Sequence, residues 1–455
     1  MNEPVILALD VGSSSRRGQL VDRKLRFLVD KTPRRHNVID CRSDGSATID
    51  ANELTEDVMS LLDQLTNIAS ELPVRVVGVA ISCIWHSVVG AEPSGQATTP
   101  ILTWADQRPA SIIEELRRAL DHRKAHLRTG CPVRAQYFPA KLAWIKRSEP
   151  TWLSSTTRWA SPADHVLDRL VNDTTTSSSM ASGTGLMNQA SGGWDSELLS
   201  ILGVSQDVLA PIRDDTEAHL KTEYNDRWPQ LVNAFWLSAT GDGAAATIGA
   251  AASNPGDLTI SVGTTSAVRL VHPPSVGPPP LEAWRYLLSP GRPISGGCLT
   301  DGGSTLDRLR RDLDVPDDVE QQVAFDPISA NSDSLLTGGE RGPWWSEDGG
   351  ADVLDPDDFP DPVVAWQSAI QGVSGRLAEI AAVLEQVHPI ERVVCTGGAY
   401  DRSHLWHTAI ADALGRPIVS APFDETSLRG VASLAWDRVD VMNREGSLSR
   451  LGECR

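Results

Sequence analysis

No two cysteines of this chain form a CxxC pair. Cys41, Cys83, Cys131, Cys298, Cys395 and Cys454 lie scattered through 455 residues, too sparse for a disulfide framework and without zinc-ligand spacing. A reducing compartment is expected, and a structural zinc is not. The chain also lacks a basic segment ahead of its first apolar run, so MNEPVILALD reads as an opening strand rather than a signal peptide. The longest apolar stretch, VRVVGVAISCIWHSVVG, carries Arg75 and His86 and has the composition of buried strands, not of a membrane span. Basic residues are in deficit, with 41 Lys and Arg against 60 Asp and Glu and a net charge of -19. Nonspecific nucleic-acid binding needs clustered cations to displace counterions, and this balance argues against it. The acidic surface itself reads as solubility and specifies no partner. A cytoplasmic protein with neither nucleic-acid nor membrane partners is expected.

What is present describes an ordinary globular chain, 40% hydrophobic and 22% charged. Its length exceeds what one core can serve, so two large domains with a cleft are expected. The boundary is placed near residues 240 to 256, giving domains of 1–252 and 253–445. LALDVGSSSRRGQLV, from Leu7, and LTISVGTTSAVRLV, from Leu258, say nearly the same thing: a short apolar run, a glycine with small hydroxyl residues, and a second apolar run. Each is the pattern of a β-hairpin around a tight turn. After the first comes a helical pattern through Leu54, Val58, Leu61, Leu62, Leu65 and Ile68, behind a cap at Asn52, and then the strand RVVGVAIS. After the second comes the helical VVAWQSAIQGVSGRLAEIAAVLEQV and then the strand ERVVCTGG. The helix SHLWHTAIADALG ends at Gly415, and DETSLRGVASLAW is again helical. This alternation gives an α/β fold with helix-covered sheets. NDTTTSSSMASGTG, HPPSVGPPP and EDGGADVLDPDDFPDP read as surface connections.

The two turns carry the first chemical suggestion. Gly12, Ser13 and Ser14 offer open backbone N–H groups and hydroxyl donors suited to phosphate oxygens, and Arg17 adds a cation. Taken alone, such a turn is simply a hairpin loop of common turn residues. The second copy, Gly263, Thr264 and Thr265, favours a nucleotide gripped from both sides. Gly397-Gly398 after ERVVCT lies where open α/β sheets place ligands, and Gly302-Gly303 forms a fourth turn of this kind. Asp10 ends an apolar strand beside the first turn, where a bare carboxylate would repel phosphates. Either it caps a turn through its own side chain, or it holds Mg²⁺ directly or through water. In ATGDGAAATIGAA, Asp242 is either a helix cap or the general base that takes a proton from an attacking hydroxyl. These residues alone point to phosphoryl transfer onto a small hydroxylated molecule, or to nucleotide binding without turnover.

LALDVGSSSRRG, SCIWHS, TWADQR, RTGCPVRAQYFPAKLAWI, SSMASGTGL, WDSELLSILGV, TGDGAAATIGA, SVGTTS, LTGGERGPWW, CTGGAYDRSHLW and DETSLRGVASLAW follow one another in this order. The set resembles the FGGY carbohydrate kinases across nearly the whole chain. The resemblance implies a two-domain ribonuclease-H-like, actin-like ATPase fold with ATP, Mg²⁺ and sugar meeting in the cleft, and domain closure that excludes water. It implies Asp242 as catalytic base and Asp10 as the acid near the metal. Gly12, Ser13, Ser14, Arg17, Gly263, Thr264, Thr265, Gly303, Gly397 and Gly398 fall on the nucleotide side. Trp85, His86, Asp106, Arg108 and Tyr137 fall on the sugar side, although Trp85 and Tyr137 also suit a core and Asp106 also suits a cap for the helix starting near Pro109. Asp164 is set aside, because it follows Ser161-Pro162 as part of a helix-starting box. WHS, TWADQR and RTGCP are most similar to the gluconate kinases, whose substrate carboxylate calls for a cation such as Arg108 or Arg134. Trp85 stands where the family has a small residue or Met, which would narrow the sugar pocket. The expected reaction is ATP-dependent phosphorylation of gluconate to 6-phosphogluconate. The alternatives are another polyol or ketose (xylulose, ribulose, glycerol) and a regulator without turnover. Dimerisation stays open.

Overall fold

The computed structural model describes residues 2–36, 39–214, 217–277, 279–323, 335–336, 340–341 and 359–445. The chain divides into two compact units. The first comprises Met1–Gly249, Tyr286–Gly291 and Glu425–Arg455, and the second Ala250–Arg285 and Arg292–Asp424.

In the first unit, β1 (Glu3–Val11) and β2 (Ser15–Val21) form an antiparallel hairpin with Asp10 opposite Arg17. β3 (Arg34–His36) extends its outer edge, and α1 (Ala51–Glu71) leads to β4 (Val74–Cys83), parallel to β1 with Asp10 opposite Ser82. Two helices relevant to the site follow, α2 (Phe138–Ser148) and α3 (Pro162–Leu170). β5 (Ala218–His219), β6 (Phe235–Trp236) and β7 (Thr240–Gly241) complete a seven-stranded sheet of order β5-β6-β4-β1-β2-β3, with β7 also paired to β4. α4 (Asp242–Gly249) starts directly from β7.

β1 is buried without alternation from Val5 to Val11, the pattern of a central strand covered on both faces. Leu54, Val58, Leu61, Leu62 and Leu65 of α1 are buried at helical spacing, and α1 packs on β2 and β4. Each such side chain contributes about 2 kcal/mol of burial. Helix Thr426–Glu445 packs on β1 and β4, with Leu428, Val431 and Ala432 against Ile6 and Ala8. The cap of α1 is Asp50 rather than Asn52. Asp50 is extended and its carboxylate accepts from the N–H groups of Asn52 (2.8 Å) and Glu53 (3.0 Å), so Asn52 is already inside the helix.

The second unit repeats the plan. β8 (Asp257–Val262) and β9 (Ser266–Val271) form an antiparallel hairpin. β10 (Trp284–Ser289) crosses the division, counting with the first unit from Tyr286 on, and β11 (Arg292–Leu299) returns to the second. α5 (Gly303–Asp312) and the long α6 (Pro362–Glu385) precede β12 (Arg392–Thr396), which lies parallel to β8. α7 (Gly398–Arg402), α8 (His404–Leu414) and β13 (Val419–Ser420) follow, giving a strand order β11-β9-β8-β12-β13. The unit has its own core, in which Leu258, Ile260 and Val268 meet Trp366, Leu377 and Trp406. Hairpin, helix and parallel strand therefore recur in both halves, as the sequence pattern implies. No described helix is long and apolar enough to cross a membrane, and all five described cysteines are free.

One expected surface loop is misplaced. Most of NDTTTSSSMASGTG is buried, and Ser178–Ser182 is a short helix capped by Ser177. Its hydroxyls find partners: Ser177 donates to the Ala239 carbonyl at 2.5 Å, and Ser178 to Asp214 at 3.0 Å. Serine content signals turns because hydroxyls compete for backbone groups, but the same hydroxyls satisfy a buried segment when tertiary partners exist. Most of EDGGADVLDPDDFPDP and LTGGERGPWW lies outside the described residues.

Candidate active site

In the first unit the carboxyl ends of three neighbouring strands gather the candidate residues. Asp10 is next to last in β1, Trp85 and His86 follow β4, and Asp242 follows β7. Because β4 pairs in parallel with both β1 and β7, with Ser82 opposite Asp10 and opposite Thr240, Asp10 and the start of α4 flank the end of β4. Two strand spacings separate them, about 10 Å. That crevice beyond strand ends is where open α/β sheets bind ligands.

Asp10 is buried, and its Oδ2 accepts from Arg17 Nε at 3.0 Å and Nη2 at 2.8 Å. Its Oδ1 is buried without a hydrogen-bond partner among the described residues. A buried carboxylate oxygen in that condition is costly unless something cationic or donating approaches it. Arg17 also pairs with Glu425 at 2.7 Å. Burial works against the Arg17 charge, but Asp10 and Glu425 outweigh it and raise its pKa. Gly12 N–H donates to the Ser15 carbonyl at 3.0 Å, closing the turn, and Ser14 is exposed. No group of three or more His, Cys, Asp or Glu side chains suited to a metal ion occurs among the described residues. Asp10 fits Mg²⁺ all the same, since that ion keeps several waters and takes one or two carboxylates plus phosphates.

Asp242 is half-buried at the first turn of α4, where Oδ1 accepts from the Gly243 N–H at 2.8 Å. Trp85 stands behind it. A Cβ on Gly241 would fall 1.9 Å from Trp85 Cε2, and one on Gly183 2.4 Å from its Cδ1. The indole is thus wedged between two glycines, and its N–H donates to the Ser179 carbonyl at 3.0 Å. His86 has a positive φ of 63°, unusual for a side chain of its size. Its Nδ1 lies 2.6 Å from the Gly183 carbonyl, and its own carbonyl accepts from Lys141 Nζ. That buried ammonium also donates to the carbonyls of Thr103 at 2.7 Å and Leu102 at 3.1 Å. Burial pushes Lys141 down to about 7, with Asp106 opposing the shift and Arg108 adding to it. Lys141 therefore ties the His86 turn to the segment leading to Asp106.

Asp106 is fully buried and accepts from Arg108 Nε at 3.0 Å. It also accepts from the Arg108 backbone N–H at 3.2 Å. Arg108 stacks over Trp144 at 4.5 Å, so its charge is engaged by its neighbours. Tyr137 is buried beside His86, ring centroids 5.0 Å apart, and its hydroxyl meets that of Tyr286 at 2.6 Å. Tyr286 went unremarked in the sequence, and no local signal marks it. Asp164 does begin α3 with its N–H on Ser161 Oγ at 3.1 Å, yet its carboxyl is buried, and that burial pushes it up to about 6.

The second unit brings the remaining glycines together. Gly263 N–H donates to Thr265 O at 2.9 Å, Gly303 N–H to Gly263 O at 2.8 Å, and Ser304 N–H to Thr264 O at 3.0 Å. Gly397, at φ 113°, comes so near that a Cβ would fall 2.5 Å from Val262 O. Beside Gly303 and Ala399 opens a pocket of about 280 Å³ lined by Arg310, Trp366, Arg402 and Trp406. The indole nitrogens of Trp366 and Trp406 and the hydroxyl of Ser403 are buried and lack partners among the described residues. A pocket that combines indole rings with charged side chains, next to amide-rich turns, suits a nucleoside.

Residues 5–249 match the FGGY family of carbohydrate kinases, N-terminal domain, and residues 319–436 the C-terminal domain of that family. The gluconokinase of Bacillus subtilis (strain 168) is 25% identical over 382 residues, covering 79% of this chain and 74% of that one. The xylulose kinase of Streptomyces rubiginosus is 26% identical over 272 residues, covering 59% and 54%. In fold, the chain is similar to a gluconate kinase from Lactobacillus acidophilus, with a TM-score of 0.83, 23% identity and coverage of 99% and 92%. It is also similar to a Plasmodium falciparum glycerol kinase with ADP, with a TM-score of 0.82, 17% identity and coverage of 99% and 92%.

Proposed function

The chain belongs to the FGGY family of carbohydrate kinases, and on that premise we propose that it transfers the terminal phosphoryl group of ATP to D-gluconate in the cytoplasm, giving 6-phosphogluconate. The observation that carries the chemistry is the convergence of Asp10, His86 and Asp242 on the ends of adjacent strands. The choice of gluconate rests on the likeness to the gluconokinases and on WHS, TWADQR and RTGCP.

Asp242 accepts the proton of the attacking hydroxyl as the oxygen bonds to phosphorus. Its carboxylate is oriented by the Gly243 N–H, and its backbone by the Trp85 indole packed on Gly241. His86, Asp106 and Arg108, with Tyr137 and Trp85 behind them, bind and orient the sugar. The turns at Gly12-Ser13-Ser14 and Gly263-Thr264-Thr265 donate to phosphate oxygens, and Arg17 adds positive charge there. Gly303, Gly397 and Gly398 let their turns pack closely against neighbouring groups beside the pocket of Trp366 and Trp406, where the nucleotide binds. Mg²⁺, held by Asp10 directly or through water, supplies positive charge against the phosphates when bound.

The test is ADP release with Mg-ATP and a panel of gluconate, xylulose, ribulose and glycerol, run beside Asp242→Asn. Fastest turnover on gluconate, reduced at least about 10³-fold in the variant, is expected for loss of a general base and its charge. Fastest turnover on another member of the panel overturns the substrate. An Asp242→Asn variant that keeps most of its rate overturns the base.

A further inference from the structure

The buried tyrosine pair lies beside His86, with Tyr286 facing the imidazole. A carbonyl oxygen can only accept, so the 2.6 Å contact between His86 Nδ1 and Gly183 O places a proton on Nδ1. In the neutral imidazole Nε2 is then an acceptor. Tyr286 Oη lies 3.5 Å from that Nε2 and 2.6 Å from Tyr137 Oη. With Nε2 accepting, the Tyr286 hydroxyl can donate towards His86. The rings reinforce the arrangement: Tyr286 packs on Trp85 and His86 with centroids 4.9 and 5.3 Å apart. Leu287, the next residue, is anchored by its N–H on Ser182 Oγ at 2.9 Å. Tyr137 and Tyr286 are almost wholly buried while His86 is only half-buried, so His86 is the member of the group that a ligand can reach.

We propose that Tyr286 is a positioning residue for the sugar site, which together with Gly183 holds His86 with its Nε2 as an acceptor, so that this side of the site takes a substrate hydroxyl and rejects a carboxylate. The inference rests on the reading of His86 as a sugar-side residue. Its chemistry is simple: a hydroxyl can donate to Nε2, whereas a carboxylate offers only lone pairs to a lone pair. The carboxylate of a sugar acid therefore lies away from His86, and the edge facing His86 is a polyol edge. The 3.5 Å contact is long for a hydrogen bond, and a substrate hydroxyl that donates to Nε2 can at the same time accept from Tyr286.

The experiment uses the full chain and whichever sugar of the four-member panel it turns over fastest, so a substrate other than gluconate overturns the earlier reading without touching this one. Tyr286→Phe keeps the ring and removes the donor. Its KM for the sugar is expected to rise about tenfold, with kcat falling less than threefold and the KM for ATP changing less than twofold. In ¹⁵N-histidine-labelled protein the His86 Nε2 resonance is expected to move to lower field as its donor is lost. The double variant Tyr137→Phe with Tyr286→Phe removes both hydroxyls of the 2.6 Å contact, and its thermal stability is expected to exceed that of Tyr286→Phe alone. Its sugar KM is expected to stay raised. A sugar KM that returns to the wild-type value in the double variant, equal rises in both KM values, or an unmoved Nε2 resonance would each overturn the proposal.

Discussion

The Trp85 indole occupies the space in which a side chain on Gly241 would have to sit, 1.9 Å from where its Cβ would be. Because Gly241 immediately precedes Asp242, the large aromatic residue that stands at Trp85 is matched by a residue with no side chain beside the carboxylate. Gly241→Ala must displace either the indole or the backbone that starts α4. Overpacking of this kind costs about 1–3 kcal/mol, and a 1 Å displacement of a reacting group costs on the order of 10²-fold in rate. The prediction is a kcat reduced about 100-fold with a modest fall in melting temperature. Trp85→Phe combined with Gly241→Ala should recover part of the rate, and failure of that rescue would show that the two residues do not act through one another.

A second close approach lies at the other end of the same helix. A Cβ on Gly430 would fall 1.9 Å from Ala245 O, and one on Gly249 1.8 Å from Thr426 O. Helix Thr426–Glu445 therefore packs on α4 backbone to backbone. Gly430→Ala is expected to destabilise the protein by about 1–3 kcal/mol, measured by urea unfolding, and to lower kcat through α4. An alanine variant with unchanged unfolding midpoint would contradict this packing.

Two adjacent buried groups on α3 give opposing pH dependences. Burial lowers His165 to about 4, with Arg169 adding to the shift. Between about pH 6.5 and 4 the unfolded chain gains this proton and the folded one does not, so stability from this group is lost as pH falls. Burial raises Asp164 to about 6, against the hydrogen bonds from Thr176 and Ser161. Here the folded state holds the extra proton between about pH 4 and 6, so stability is lost as pH rises. Each contribution is about 3 kcal/mol at one unit per 1.36 kcal/mol, and over their shared window they oppose one another. Asp164→Asn should expose the histidine, with unfolding free energy falling by about 3 kcal/mol more than in the wild type on going from about pH 6.5 to about pH 4. Denaturant unfolding at a series of pH values reads this directly, and parallel curves for the two proteins would refute it.

Much of the fold was legible because its signals are local. The two hairpins announce themselves through apolar runs broken by Gly12-Ser13-Ser14 and Gly263-Thr264-Thr265, and α1 through the spacing from Leu54 to Leu65. The α/β character and the recurrence of hairpin, helix and strand follow from periodicity and turn chemistry, which act over a few residues. Even the chemical suspicion about Asp10 and Asp242 needed only an acid at the end of an apolar strand and another before small residues.

What tertiary structure decided is everything that depends on distant partners. Arg17, read from sequence as a phosphate cation, also pairs with Asp10 and Glu425, the latter contributed from more than 400 residues along the chain. Tyr286, on β10, meets Tyr137 and His86 across sequence separations of 149 and 200 residues. The serine-rich run that looks like a surface loop is buried, and its backbone holds Trp85 and His86. Trp366 and Trp406 line a pocket only because α5, α6 and α8 pack around it. The chain by itself thus determined its elements and the residue types needed for phosphoryl transfer. Which charges are paired, which hydroxyls face each other and which aromatic rings line a cavity came from packing, because electrostatics, desolvation and close contact depend on separation in space, and sequence distance carries almost none of that information.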